Sequence, residues 1–142
     1  MRVIKFGGTS VGKEDGLRNT VNVILDYAKS GEQPVVIVSA FTKITDHLIS
    51  LAKAASSGNP YQTELEELAN IHRKTAQSFI NSQRLPAVLE QLEKAMTDLG
   101  QVLHGVYLVR ECSLRTLDYI MSFGERLSAY IISEIIRNLM PI

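Results

Sequence analysis

Residues 2–13, R-V-I-K-F-G-G-T-S-V-G-K, give the strongest indication of how this chain folds. A short run rich in Val and Ile ends at two adjacent glycines, as a buried parallel strand does when it enters a tight turn. A second run of this kind, P-V-V-I-V-S-A, occupies residues 34–40. Between the two runs, apolar residues recur at helical spacing: Leu17, Val21, Ile24, Leu25 and Ala28. Gly31 follows as a stop signal. We therefore expect a parallel βαβ unit whose strands are buried on both faces.

Residues 41–140 have the pattern of successive helices. Apolar stripes at helical spacing begin near four positions: Ile44, Thr63, Leu85 and Ser113. Thr63 and Glu66 have the spacing of a capping box, and Pro86 suits the first turn of the next helix. The last segment contains a predicted interruption near Gly124, and its second half is apolar nearly all round, as in a helix buried between layers.

Composition excludes several classes of protein. The 142 residues include 15 basic and 15 acidic side chains without a basic patch, so no nucleic-acid partner is expected. One cysteine, Cys112, and three histidines cannot form a cysteine-rich metal site or a disulfide framework. No apolar run approaches the ~20 residues of a membrane span. No signal peptide precedes the strand pattern that starts at residue 2. We expect a cytoplasmic protein with no membrane partner.

The string K-F-G-G-T-S-V-G, residues 5–12, has the construction of a phosphate-binding loop. Adjacent glycines let the backbone approach a ligand, and successive N–H groups at a helix entrance favour anions. Lys5 adds a full positive charge, and Thr9 and Ser10 add hydroxyl donors. The Gly-Gly pair alone would be equally typical of a structural turn between a strand and a helix.

A second nucleotide-binding pattern overlaps this string. Gly7, Gly12 and Lys13 fit the start of the P-loop motif, G-x-x-x-x-G-K, but Glu14 follows where that motif needs Ser or Thr to hold Mg²⁺. A carboxylate at that point would repel the phosphates. We interpret Lys13 as a solvated residue at the start of a helix.

Two further strings carry candidate site residues. V-S-A-F-T-K-I-T-D-H-L, residues 38–48, leaves the second strand, and ligands of open α/β sheets bind beyond the carboxyl ends of the strands. Ser39 and Thr45 are therefore candidates, although both suit ordinary strand-end and helix-start positions equally well. M-S-F-G-E-R-L-S-A, residues 121–129, places one carboxylate, Glu125, in a largely apolar segment. The residues alone favour a solvated Glu125.

In this order and spacing, the three strings resemble the aspartate kinase family, within the larger amino-acid kinase fold. K-I-T-D-H-L, together with V-L-H-G at residues 102–105 and nearby Cys112, looks most similar to the bifunctional aspartokinase/homoserine dehydrogenases. The resemblance implies an α/β, three-layer α/β/α fold that is truncated here, with a parallel βαβ start and a large helical region. Residues 1–142 would be the N-terminal part of one catalytic domain, incomplete and mostly helical over 41–140.

The resemblance also implies roles for particular residues. The ATP phosphates would be lined by the glycine string, with Lys5 as the catalytic residue on the transferred group: Lys5, Gly7, Gly8, Thr9 and Ser10. Aspartate would be bordered by three residues after the second strand: Ser39, Ala40 and Thr45. Glu125 would meet the α-ammonium group of aspartate. ATP would be the co-substrate with Mg²⁺, whose ligands would lie outside this segment, so no metal site is expected here.

The implied reaction transfers the ATP γ-phosphoryl group to the β-carboxylate of L-aspartate, giving 4-phospho-L-aspartate, the first step towards lysine, threonine and methionine. The alternatives are an amino-acid kinase acting on glutamate, carbamate or UMP, and a non-catalytic nucleotide-binding or regulatory fragment. We expect a homo-oligomeric enzyme, and we expect these residues alone to be inactive. We also expect the apolar face around Ile131, Ile132, Ile135 and Ile136 to be partly uncovered, and Pro141-Ile142 to lead into another strand.

Overall fold

The computed structural model describes residues 1–140, which form two parallel strands and six helices. Strand β1 (Val3–Phe6) pairs with β2 (Val35–Val38) in a register that joins Val3 to Val35 and Phe6 to Val38. A one-turn helix, α1 (Gly8–Val11), and the longer α2 (Glu14–Lys29) connect them. After α2 the chain turns at Gly31, whose φ of 84° is a conformation that glycine adopts without strain. The predicted βαβ unit is confirmed.

The helical region is also confirmed. Four helices follow the second strand: α3 (Ile44–Ser56), α4 (Gln62–Phe79), α5 (Leu85–Val109) and α6 (Leu114–Leu139). Helices α3, α5 and α6 contribute most of the fully buried side chains, and α3 packs on both of the others. Pro86 lies in the first turn of α5, where its missing N–H has no helical partner to lose.

Helix α6 runs without a break, so the predicted interruption near Gly124 is wrong. Gly124 is buried inside the helix, where an added Cβ would lie 2.9 Å from the Cβ of Ala40. The glycine therefore serves the close approach of α6 to the end of β2, and no helix break is required. Ser113 caps the helix by accepting a hydrogen bond from the N–H of Thr116.

The expectation of an uncovered apolar face on α6 is wrong as well. Ile131, Ile132 and Ile135 are buried and belong to the common core, while Ile136 is half-buried against it. The surrounding helices cover this face, because α6 packs against α2, α3, α4 and α5 at once.

The predicted capping box at Thr63 is wrong, because α4 begins earlier. Tyr61 is its N-cap residue, and no side chain caps the helix. The Tyr61 ring is buried and lies 6.1 Å from the ring of Tyr107, measured between centroids. Packing of this ring sets the start of α4 and outweighs the capping preference of Thr63.

The strands are not buried on both faces. Phe6, Val36 and Val38 pack against the helices, but Val3, Val35 and Ile37 on the opposite face are 54%, 47% and 48% exposed. Among residues 1–140, the helices cover only one face of the two-stranded sheet. The predicted lead into a strand at Pro141-Ile142 lies outside the described residues. None of the helices within the described range is long and apolar enough to cross a membrane.

His72 is a core residue of α4. It is fully buried, and its Nδ1 lies 2.8 Å from the Leu68 carbonyl oxygen, to which it donates. Burial lowers the pKa of His72, and the hydrogen bond to Leu68 opposes that shift only in part.

Candidate functional site

A cleft of about 410 Å³ opens at the carboxyl ends of both strands. Its lining comes from α1, from the segment after β2 and from the first turn of α3: Gly8, Thr9, Ser39, Ala40, Phe41, Thr42, Lys43, Thr45 and Asp46. Parallel sheets bind ligands at this edge. The cleft combines two backbone segments, several hydroxyl groups, one lysine and one carboxylate, a set suited to a small polar ligand.

The glycine string forms the first wall of the cleft. Gly7 is extended, with ψ of 176°, and its carbonyl accepts hydrogen bonds from the N–H groups of Ser10 at 3.0 Å and Val11 at 3.3 Å. Gly8 and Thr9 therefore stand in the first turn of α1, where backbone N–H groups have no intrahelical acceptor. These donors and the Thr9 hydroxyl are available to a ligand in the cleft.

Contacts from behind hold this loop in place. The buried Thr20 of α2 donates its hydroxyl to the Ser10 carbonyl oxygen at 3.1 Å. At Gly12, an added Cβ would lie 1.7 Å from Oγ1 of Thr42, and at Gly16 it would lie 2.7 Å from the Ser10 carbonyl oxygen. The two glycines let α1 nest between α2 and the segment after β2. The position of the loop is thus fixed by packing.

The second wall begins where β2 ends. The N–H of Ser39 donates to the Phe6 carbonyl at 3.0 Å, which extends the sheet ladder to the edge of the cleft. A Cβ on Gly8 would lie 3.7 Å from Oγ of Ser39, which is van der Waals contact, so at this point the two walls are separated by about one methyl group. Ala40 is buried, with Gly124 of α6 behind it.

Helix α3 closes the cleft with an unusual residue at its start. Lys43 is the N-cap residue of α3 and has φ of 66°, in the left-handed region that non-glycine residues rarely occupy. Thr45 and Asp46 follow in the first turn. Non-glycine residues with this backbone strain concentrate at binding and catalytic sites. Sequence reasoning missed Lys43 and Asp46 as cleft residues, although both stand in the K-I-T-D string.

The predicted site residues divide into two groups. Five line the cleft together: Gly8, Thr9, Ser39, Ala40 and Thr45. The other four lie outside that lining: Lys5, Gly7, Ser10 and Glu125. Lys5 projects from the open face of the sheet, in register with Ile37, two residues before the glycine pair. Glu125 is exposed on α6, directly after the glycine that contacts Ala40.

Several other polar residues do not belong to the cleft. Lys13 is the exposed N-cap residue of α2, as predicted, and lines a separate cavity of about 210 Å³ behind the glycine loop. Arg126 lies over the Phe123 ring, 4.6 Å from its centroid. Burial raises the pKa of the Cys112 thiol, which opposes a role as a nucleophile. Within residues 1–140, no three His, Cys, Asp or Glu side chains are grouped as metal ligands would be.

Comparison with known proteins gives a consistent result. Residues 1–140 match the amino acid kinase family. The chain is 33% identical over 137 residues to the chloroplastic bifunctional aspartokinase/homoserine dehydrogenase 2 of Arabidopsis thaliana, covering 96% of this chain and 15% of that protein. It is 34% identical over 142 residues to the chloroplastic aspartokinase 1 of the same plant, covering 96% of this chain and 23% of that protein. The chain thus spans less than a quarter of either relative.

The fold has a counterpart among solved structures. The crystal structure of Escherichia coli aspartokinase III in complex with lysine and aspartate superposes with a TM-score of 0.79 over 98% of this chain and 29% of that chain. Sequence identity is 24%, so this structural similarity supports the fold alone. The resemblance stated from the sequence is confirmed, as is the fold class that it implied.

Proposed function

This chain belongs to the amino acid kinase family, and we propose that it carries part of the active site of an aspartokinase, which transfers the ATP γ-phosphoryl group to the β-carboxylate of L-aspartate. The product would be 4-phospho-L-aspartate, and the reaction would be the first step towards lysine, threonine and methionine. ATP and L-aspartate are the proposed substrates.

One observation supports the proposal above the others. Gly8 and Thr9, assigned to the ATP phosphates, line the same cleft as Ser39 and Thr45, assigned to aspartate. Phosphoryl transfer requires donor and acceptor to be held side by side, because positioning supplies much of the rate enhancement. A single cleft with one wall for each substrate meets that requirement.

The chemistry calls for charge neutralisation and for no general base. The acceptor carboxylate of aspartate, with a pKa near ~3.9, is already ionised at neutral pH. The barrier comes from bringing this anion to the anionic phosphate chain. The N–H groups of Gly8 and Thr9 and the ammonium group of Lys5 would offset that repulsion. Glu125 would pair with the α-ammonium group of the substrate and select an amino acid.

Magnesium would enter with the nucleotide. Mg²⁺ binds through carboxylates, water and substrate phosphates. Asp46 is the carboxylate that lines the cleft among the described residues. The resemblance implies that the Mg²⁺ ligands lie outside this segment, and this stays a prediction.

Lys5 provides the decisive test. In the gene product that contains this sequence, Lys5→Met should lower kcat by at least about 100-fold, the scale of losing one preorganised charge contact to the transferred group. Steady-state kinetics with ATP and aspartate measure the effect.

Lys13→Met is the matched control, because Lys13 is a second exposed lysine of the same segment but lines a different cavity. This change should leave kcat within about twofold. If Lys13→Met severely lowered kcat and Lys5→Met did not, the P-loop interpretation would be supported and the proposed role of Lys5 would be rejected.

A further inference from the structure

Ser128 of α6 connects the last helix to the substrate cleft. Its side chain is fully buried, and its Oγ donates to the Ser39 carbonyl oxygen at 2.7 Å across 89 positions of sequence. Ser39 lines the cleft, and its N–H is already bonded to the Phe6 carbonyl. Both backbone groups of Ser39 therefore have fixed partners, one in the sheet and one in α6.

The Ser128 hydroxyl donates to Ser39 in the neighbouring segment, although its own helix also offers an acceptor. The carbonyl of Glu125 lies 3.1 Å from the same Oγ, further away than that of Ser39. Ser133, one and a half turns later, shows the usual arrangement for a helical serine and donates to the Tyr130 carbonyl of its own helix at 2.7 Å. Ser128 instead holds the neighbouring segment.

One turn before Ser128, the same side of α6 contacts the next cleft residue. An added Cβ on Gly124 would lie 2.9 Å from the Cβ of Ala40 and 3.4 Å from Cδ1 of Leu48. Gly124 and Ser128 are four positions apart, so they share one helix face. Glu125 belongs to the same turn, which thus has contacts with two cleft residues and carries the proposed ligand of the substrate ammonium group.

We propose that the turn 124–128 of α6 is a positioning device, in which Gly124 and Ser128 set the distance between Glu125 and the Ser39-Ala40 edge of the cleft. The inference rests on the proposed function and deepens it. Gly124 and Ser128 touch no substrate; they act through Ala40 and Ser39. Since Ser39, Ala40 and Glu125 are all assigned to the amino acid, loss of this alignment should affect aspartate and spare ATP.

The contact between Gly124 and Ala40 is tested by thermal unfolding of the 142-residue chain. Gly124→Ala should lower Tm by roughly 3–10 °C, because the new methyl group overlaps Ala40. Adding Ala40→Gly to Gly124→Ala should recover part of that loss. Ala40→Gly by itself should not raise the Tm of the unsubstituted chain. Strict additivity of the two changes would overturn the contact, since residues in contact are expected to couple.

The positioning role is tested by kinetics on the gene product that contains this sequence. Ser128→Ala should raise KM for aspartate about 3–10-fold, the scale of one lost hydrogen bond, with KM for ATP within about twofold. Ser133→Ala removes a hydroxyl that bonds only within α6, and should change neither KM.

The outcomes separate the two claims. Equal increases in both KM values for Ser128→Ala, or no change in either, would overturn the positioning role while leaving an active aspartokinase. Absence of aspartate-dependent turnover in the unsubstituted protein would overturn the proposed function, and with it the substrate role of the turn. The unfolding experiment would still decide whether Gly124 and Ala40 are in contact.

Discussion

Thr45 and Glu125 approach the proposed amino-acid site from different elements, Thr45 from the first turn of α3 and Glu125 from α6. Thr45→Val and Glu125→Gln should therefore weaken the use of aspartate and leave KM for ATP within a fewfold. Removing the charged partner of a substrate ammonium group costs about 2–4 kcal/mol in kcat/KM. Kinetics with each substrate varied in turn measure the effect.

Glu111→Gln provides the control for Glu125→Gln, because Glu111 is also exposed but lies between α5 and α6, away from the cleft lining. It should change neither substrate parameter. If Thr45→Val and Glu125→Gln reduced kcat/KM for ATP as much as for aspartate, these residues would belong to the nucleotide end of the site.

The backbone conformation of Gly12 does not require glycine, because its φ of −77° is open to any residue. The space around it does. An added Cβ would lie 1.7 Å from Oγ1 of Thr42 and 2.5 Å from the Gly8 carbonyl oxygen. Gly12→Ala should destabilise the chain by about 1–3 kcal/mol, the cost of overpacking. Urea unfolding of the 142-residue chain measures the change in unfolding free energy.

Gly105→Ala is the matched comparison, because a Cβ at this position in α5 would meet no atom within 4 Å. Alanine is the better helix former, so this change should stabilise the chain by about 0.5–1 kcal/mol. A Gly12→Ala variant as stable as Gly105→Ala would show that the loop moves freely away from Thr42.

A buried carboxylate links α6 to the start of α5. Glu134 is 7% exposed and accepts hydrogen bonds from Arg84 at 2.7 Å and from Arg137 at 2.6 Å. Burial by itself raises the pKa of Glu134, but the hydrogen bonds and charges of the two arginines outweigh it and hold that pKa below its ordinary value. Arg84 is the N-cap residue of α5, so the pair links two helix segments 50 positions apart.

This network makes stability depend on pH in a defined direction. A carboxylate whose pKa is lower in the folded chain contributes stability that is present above its unfolded pKa, near ~4.3. That contribution is lost as pH falls through the folded pKa. Glu134→Gln should therefore cost about 1–3 kcal/mol at pH 7, and the difference from the unsubstituted chain should shrink below about pH 4.

The measurement is urea unfolding of both chains from pH 7 to pH 3. The control is Glu90→Gln, which breaks only an exposed pair with Lys94 and should cost less than about 0.5 kcal/mol at any pH. A Glu134→Gln difference that stayed constant down to pH 3 would contradict the expected pKa shift.

The open face of the two-stranded sheet carries exposed apolar side chains. Val3, Val35 and Ile37 are each about half exposed on two adjacent strands, beside Lys5. Contiguous apolar surface of this kind favours association. We expect the 142-residue chain to self-associate, and Val35→Thr with Ile37→Thr to reduce the mass seen by light scattering. Val109→Thr, at a position 69% exposed on α5, should leave the mass unchanged.

The 142-residue chain alone should not turn over aspartate. Its cleft of about 410 Å³ is near the lower end of the ~300–1,000 Å³ range of small-molecule sites, yet it would have to hold ATP and an amino acid together. The resemblance also implies that the Mg²⁺ ligands lie outside this segment. An ADP-release assay should detect no aspartate-dependent rate. Turnover within tenfold of the complete gene product would contradict this. Cytoplasmic location and a homo-oligomeric enzyme stay predictions.

Local patterns were enough to predict the βαβ start, the helical region over 41–140 and the place of the glycine string at a strand end. The strands were recognisable because they are short Val- and Ile-rich runs bounded by Gly and Pro, and the helices because their apolar residues recur every three or four positions. Gly8 and Thr9 could be associated with Ser39 and Thr45 for the same reason, since parallel strands bring their carboxyl ends to one edge.

Other features depend on contacts between residues far apart in the chain, which no local pattern records. The sequence pattern predicts a helix break at Gly124, whereas its missing side chain makes room for Ala40, 84 positions earlier in the sequence. The Ser128–Ser39 bond and the Glu134–Arg84 pair are equally remote. The exposure of Val35 and Ile37 likewise depends on which face the helices cover. Periodicity reports whether a side chain is apolar, but only the packed structure determines what, if anything, lies against it.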